Sequence, residues 1–164
     1  MRPSVATPML LHRLAVFSVA LCIATTLHAQ AQAGKKAGDE KRAALTWGPA
    51  PDVFPAGAKM AVEKGDPTKS GEFIVRLQFP DGYKIPPHFH PTDEHLRVRS
   101  GTFLVGMGDK LDASAAKPLA AGDTETMGAK MHHFGIAKGP VTVSVRAEGP
   151  FAMTYVNPAD NPKK

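Results

Sequence analysis

The sequence predicts an all-β domain, packed as a sandwich or closed barrel, behind an N-terminal stretch that is no part of it. Three observations carry this expectation. From residue 58 onward no window sustains a helical period, and short runs alternate apolar and polar residues instead. Gly- and Pro-containing pairs punctuate those runs at short intervals. The length of 164 residues suggests a single domain. Many short strands joined by such turns bury their apolar faces by packing sheet on sheet or by closing into a barrel.

The N-terminal stretch comes first. Residues 1–13 hold Arg2, His12 and Arg13 and no acid, and Leu14–Leu27 then runs 14 residues without a charge. Small residues follow at Ala29, Ala31 and Ala33. A basic start, a short apolar run and an A-x-A pattern predict a secretory signal peptide over residues 1–33, cleaved after Ala31 or Ala33. A membrane anchor is the alternative, but a spanning helix needs about 20 apolar residues and this run is shorter. Bulky Leu21 before Cys22 argues against a lipoprotein signal. The expected location is periplasmic or secreted, with no membrane attachment after cleavage.

Cleavage would change the chemistry available. Cys22 is the one cysteine, so the mature chain would hold no thiol, no disulfide and no cysteine-based metal site. Its net charge would fall from +5 to +3, because Arg2 and Arg13 leave and every acid stays. Lys and Arg are scattered without a basic stripe, which excludes a nucleic-acid partner. About 130 residues remain, enough to bury one core.

Residues 34–46 are small and charged without periodicity and read as a disordered leader before a domain at 47–164. Residues 47–57, WGPAPDVFPAG, read as an extended, non-helical segment that packs through Trp47, Val53 and Phe54. Trp47 and its neighbours would cap the barrel or pair with a second subunit. Ala58–Glu63 is the first strand candidate. In Glu72–Phe79 the residues Phe73, Val75, Leu77 and Phe79 share one face. Further strands are expected at His95–Arg99, Thr102–Met107, Thr124–Met127, Met131–Ala137, Val141–Ala147 and Phe151–Val156, with turns at Ser100–Gly101 and Gly139–Pro140 among others. The Ala-rich stretch Lys110–Ala121 has room for one helical turn.

Five of the seven histidines remain after cleavage, and all lie in two short clusters. In a strand, residues two apart point the same way, so His88 and His90 project together with Phe89 opposed. Pro91-Thr92-Asp93 then turns the chain, and Glu94 opens a strand in which it shares a face with Leu96 and Val98. A carboxylate on an apolar face is costly to bury unpaired, and a metal ion bound by two adjacent imidazoles would remove that cost. The second cluster, Met131-His132-His133-Phe134, can supply another imidazole from a neighbouring strand. Each cluster alone also fits imidazoles exposed on a sheet edge.

Together the two clusters resemble the cupin superfamily, whose first motif is G-x5-H-x-H-x3-E-x6-G. Gly82, His88, His90, Glu94 and Gly101 match it at every spacing. The second motif is G-x5-P-x-G-x2-H-x3-N. Gly122 and His133 match it, while Gly128 stands at the Pro, Lys130 at the second Gly and Ala137 at the Asn. The departures bear on the turn before His133. The resemblance spans roughly residues 58–156. It implies a jelly-roll β-barrel, the cupin 2-like small single-domain kind, with metal ligands His88, His90, Glu94 and His133. Three imidazoles and a carboxylate suit one divalent transition metal among Fe, Mn, Ni, Cu, Co and Zn. The expected activity is that of a small-molecule metalloenzyme, an oxidoreductase with dioxygenase-like chemistry in which Glu94 both ligates and acts as catalytic base. The alternative is a non-catalytic metal- or ligand-binding module. The family's barrels often associate through their sheets, so a homodimer is compatible with the sequence.

Other features have plainer readings. Arg97 and Arg99 fall on the outward face, as do His95 and His132 by alternation. Asp93 reads as a turn former. Phe73, Tyr83, Phe103 and Met131 fit either a cavity wall or the core.

Overall fold

The computed structural model describes residues 44–163. The expected signal peptide at 1–33 and residues 34–43 of the expected leader lie outside the described residues. The described part is all-β, as expected. Its nine strands are β1 Gly48–Pro49, β2 Lys59–Lys64, β3 Gly71–Phe79, β4 Lys84–Phe89, β5 Glu94–Met107, β6 Lys117–Ala120, β7 Thr124–Met127, β8 His133–Gly149 and β9 Thr154–Tyr155. One 3-10 turn follows at Pro158–Asp160. No helix among the described residues is long and apolar enough to cross a membrane.

Two strands proved longer than their sequence suggests. The expected turns at Ser100–Gly101 and Gly139–Pro140 do not reverse the chain. They bend β5 and β8, each of which runs on through the bend. The two bends meet. Register shifts occur at Val98–Ser100 and Ser100–Thr102 where β5 pairs with β8, and a Cβ on Gly101 would overlap the carbonyl oxygen of Pro140. Gly101 also has a φ of +80°, which a side chain disfavours.

The bends let β5 and β8 serve two sheets at once. The C-terminal half of β8 pairs with β3 on one edge and with the start of β5 on the other, and β2, β1 and β7 extend that sheet. The N-terminal half of β8 pairs with β4 and with the end of β5, and β9 and β6 extend that one. All strand pairs are antiparallel, and the two faces curl around one interior.

The Lys110–Ala121 stretch forms no helix; its end is β6, pinned to β5 from Thr102↔Ala120 to Val105↔Lys117. Weak helical propensity yields here to an available sheet edge. The expected strand at Phe151–Val156 shrinks to β9, because Phe151 and Met153 turn inward instead of joining a ladder.

Alternation in β3 is as expected, with Phe73, Val75, Leu77 and Phe79 buried. They meet Val98, Val105, Val143 and Val145 of the central strands in the core. Residues 51–57 cross one end of the barrel. Tyr83 Oη donates to the Pro55 carbonyl at 2.5 Å and Tyr155 Oη to that of Val53 at 2.7 Å. Burial raises both phenols, Tyr155 to about 12, so they stay protonated donors. Phe54 is thereby held in the interior, stacked on Phe151 at 6.0 Å between centroids.

Candidate metal centre

The four expected residues converge. His88 lies in β4, His90 one residue past its end, Glu94 opens β5 and His133 opens β8. Antiparallel pairing of β4 with β8 sets His88 directly across from His133. All four are buried, and one ligand atom from each lies within 4.8 Å of every other. Glu94 Oε2 is 3.1 Å from both His90 Nε2 and His133 Nε2. Phe89 faces away and stacks on His132 outside, at 5.1 Å.

Backbone carbonyls aim all three imidazoles. The nitrogen Nδ1 of His88 lies 2.8 Å from the Pro86 oxygen, that of His90 2.7 Å from Ala152, and that of His133 2.9 Å from Met131. A carbonyl only accepts, so each Nδ1 carries the hydrogen and donates it. The neutral ring then turns the lone pair of Nε2 inward. Such a bond commonly orients metal-ligating histidines.

That tautomer tests whether an ion fits. With Nδ1 donating, a neutral His90 or His133 would set a lone pair against the Glu94 carboxylate at 3.1 Å. Two acceptors in that contact repel unless a proton or a cation lies between them. Protonating both rings would bury two imidazolium ions against one carboxylate. A single divalent cation instead satisfies every inward-facing lone pair. Two donors about 2.0–2.2 Å from a shared ion, at roughly a right angle, sit about 3 Å apart, as these do. The residues present therefore fit a divalent metal ion.

The electrostatics of the side chains agree. Burial, then the neighbouring His133 and His90, press His88 down to about 3, so it is neutral. For Glu94 burial favours the neutral acid, but hydrogen bonds and charge from His133 and His90 outweigh it and hold the carboxyl well below its usual range. For His90 burial opposes the charged form, yet the bond and charge of Glu94 raise it overall.

The remaining flagged residues stay out of the cluster. His95 Nδ1 lies 3.0 Å from Thr126 Oγ1, and His132 donates to Asp109 at 2.6 Å, both on the outside. Arg97 is exposed. Asp93 Oδ1 accepts from the Ala129 amide at 2.7 Å and braces the turn before His133. In that turn Lys130, at the motif's glycine position, adopts a φ of +62°, and its amide donates to the His90 carbonyl at 2.8 Å. The turn thus keeps the left-handed geometry without the glycine.

A cavity of about 440 Å³ opens beside the cluster. Phe73 and Phe103 line it, whereas Tyr83 belongs to the core and Met131 is 45% exposed. Phe54, Phe134, Phe151 and Met153 also line it, although no local pattern singled them out as cavity residues. Their apolar side chains look like ordinary core, and only tertiary placement leaves space between them.

These features define a class: a β-barrel with three histidines and one glutamate buried at the edge of an apolar cavity. No family model matches the sequence, and no curated protein matches it either. Solved structures do. The chain is similar to the polyketide cyclase RemF from Streptomyces resistomycificus, at 14% identity over 74% of this chain and 86% of that one, with a TM-score of 0.60. It is also similar to KdgF from Halomonas sp. (19% identity, 63% of this chain, 84% of that one, TM-score 0.49). An RmlC-like cupin from Shewanella frigidimarina shows 18% identity over 57% of this chain and 78% of that one, with a TM-score of 0.49. Likeness at these identities concerns the fold, and the fold is a cupin barrel.

Proposed function

We propose that this protein is a metal-dependent enzyme acting on a small organic molecule, with dioxygenase-like oxidative chemistry, after export to the periplasm or beyond. One observation carries the catalytic reading: the four-donor cluster borders a cavity of about 440 Å³ instead of being sealed in side chains. A purely structural metal site is closed, whereas a catalytic one keeps space for a further ligand, and this volume lies in the range of small-molecule sites.

His88, His90, Glu94 and His133 would hold the ion. A divalent transition metal bound there supplies Lewis-acid and redox chemistry to oxygen donors. The chain's own part is positioning and proton handling. The three carbonyl-anchored imidazoles keep their rings from turning. Glu94 is ionised and a weak base while it faces the imidazoles. Turned into the apolar cavity it would lose those partners, and burial would then raise its pKa toward that of a useful base. The apolar wall excludes water from the reacting end.

Elemental analysis of the purified protein should find about one transition-metal ion per chain. His133→Ala should retain less than a tenth of it, since removing even an outer-shell partner of a ligand commonly costs 10–100-fold in affinity. Full retention by that variant would remove His133 from the ligand set and leave water in its place. Oxygen uptake by the protein loaded with each candidate metal, across phenolic and diketone compounds, tests the chemistry. The absence of uptake with all of them rejects the dioxygenase assignment.

A second reading, a binding module without turnover, draws on the cavity wall, which among the described residues presents no acid–base group besides the cluster itself. It requires that a ligand bind the metal-loaded protein and leave unchanged.

A further inference from the structure

Among the described residues, the side chains that line the cavity are polar at the cluster and at one threonine on its exposed side. Of the 25 residues that line it, all but five lack any side-chain nitrogen or oxygen. Four of those five are the cluster, and the fifth, Thr68, is exposed. No Lys or Arg among the described residues lines it. The wall strands offer little backbone either: β3, β5 and β8 are each paired along both edges, which commits their amides and carbonyls to ladders.

The wall is also aromatic in places. Phe54 and Phe151 stack with an interplanar angle of 6°, and Phe79 and Phe103 with one of 16° at 5.5 Å. Phe151 reaches His90 as well, with ring centroids 5.5 Å apart, so the aromatic wall leads up to the cluster. The cavity holds about fifteen water volumes, room for a molecule of one or two rings.

We propose that the site's substrate is a largely apolar, ring-bearing molecule that carries no charge away from the end that meets the cluster, where its oxygen functions are gathered. This rests on the catalytic reading above for the word substrate, but the wall that selects the molecule does not depend on the ion. A dicarboxylate could set one end at the cluster, and its other charge would find no cation. A sugar acid would strand several hydroxyls against phenylalanine and valine, and each stranded hydroxyl costs roughly five- to a hundredfold in affinity. A planar ring loses nothing on entry and gains offset or edge contacts with the phenylalanines.

Calorimetric titration of the metal-loaded protein with 2-naphthol, succinate and glucuronate tests this directly. The naphthol should bind at least tenfold more tightly than either anion. It should also bind the chelator-stripped protein, more weakly, in the same order of preference. Equal or tighter binding of succinate or glucuronate overturns the proposal. The stripped protein separates this inference from the catalytic one. A preference for naphthol in the stripped protein, together with failure of the purified protein to hold metal or consume oxygen when metal is supplied, sustains the apolar site and ends the catalytic reading. Metal-dependent turnover of the anions does the reverse. Met60→Trp and Met153→Trp, both at partly buried cavity-lining positions, should each weaken naphthol binding at least tenfold where thermal unfolding shows a native transition. Unchanged affinity in a folded variant overturns this cavity as the binding site.

Discussion

At the residue scale, His88, His90 and Glu94 were legible in the sequence because a strand repeats every two residues, so H-x-H and a carboxylate after a turn have one sensible geometry. His133 was legible only through the spacing of the second cupin motif: two adjacent histidines alternate across a strand, and the pairing of β8 with β4 supplies the physical reason that His133 faces inward. The turn before it is the informative departure. Lys130 occupies a left-handed φ of +62° where the cupin motif has glycine. That conformation costs a side-chain-bearing residue about 1–2 kcal/mol, while glycine's greater freedom when unfolded returns about 0.4–1 kcal/mol of the advantage. Lys130→Gly should therefore stabilise the protein by about 0.5–1 kcal/mol, seen as a higher urea midpoint at unchanged slope. Lys130→Val, β-branched, should lower the midpoint. A destabilised glycine variant would show that the lysine side chain contributes something the backbone does not.

At the scale of elements, the sequence marked most strands but cut β5 and β8 in two. Glycine and proline usually punctuate, and here they bend strands that continue. Nothing local distinguishes the two cases, because the difference lies in Pro140 meeting Gly101 from another strand. The same close approach recurs near the site. A Cβ on Gly106 of β5 would overlap the ring of Phe134, which follows His133 on β8. Phe134 is fully buried, so its ring can yield only by displacing packed neighbours or by entering the cavity that it lines. Overpacking of this kind costs typically about 1–3 kcal/mol. Gly106→Ala should lower stability by that amount in urea unfolding, and should also weaken metal retention, since Phe134 follows the ligand His133 on β8 and a displaced ring presses on the start of that strand. Normal stability with normal metal content would mean that the two strands separate more easily than their ladder suggests.

For the molecule as a whole, metal, protons and folding are linked through the cluster. Glu94 is held below its ordinary 4.5, so it adds stability that is present above that value and lost as the pH falls. His90 is raised above its ordinary 6.5, so its contribution is full below 6.5 and lost as the pH rises through the folded value. His88 works the other way: pressed down to about 3, it refuses a proton that the unfolded chain accepts below 6.5, and so costs stability there. These opposed terms leave the ion-free protein without a steep trend from this cluster near neutrality. Binding an ion is different, because it must displace the proton that His90 takes up readily. Below the folded pKa of His90 each pH unit should therefore change metal affinity about tenfold for that one proton. A ligand that binds only the folded state stabilises it in proportion to the logarithm of its concentration over Kd, about 1.4 kcal/mol for each tenfold. The rise in Tm produced by saturating metal, measured against a chelator-treated control, should grow from pH 5.5 to 7.5. A rise that stays level across this range would mean that no cluster proton is displaced, and the ion would then have to sit elsewhere than between Glu94 and the imidazoles.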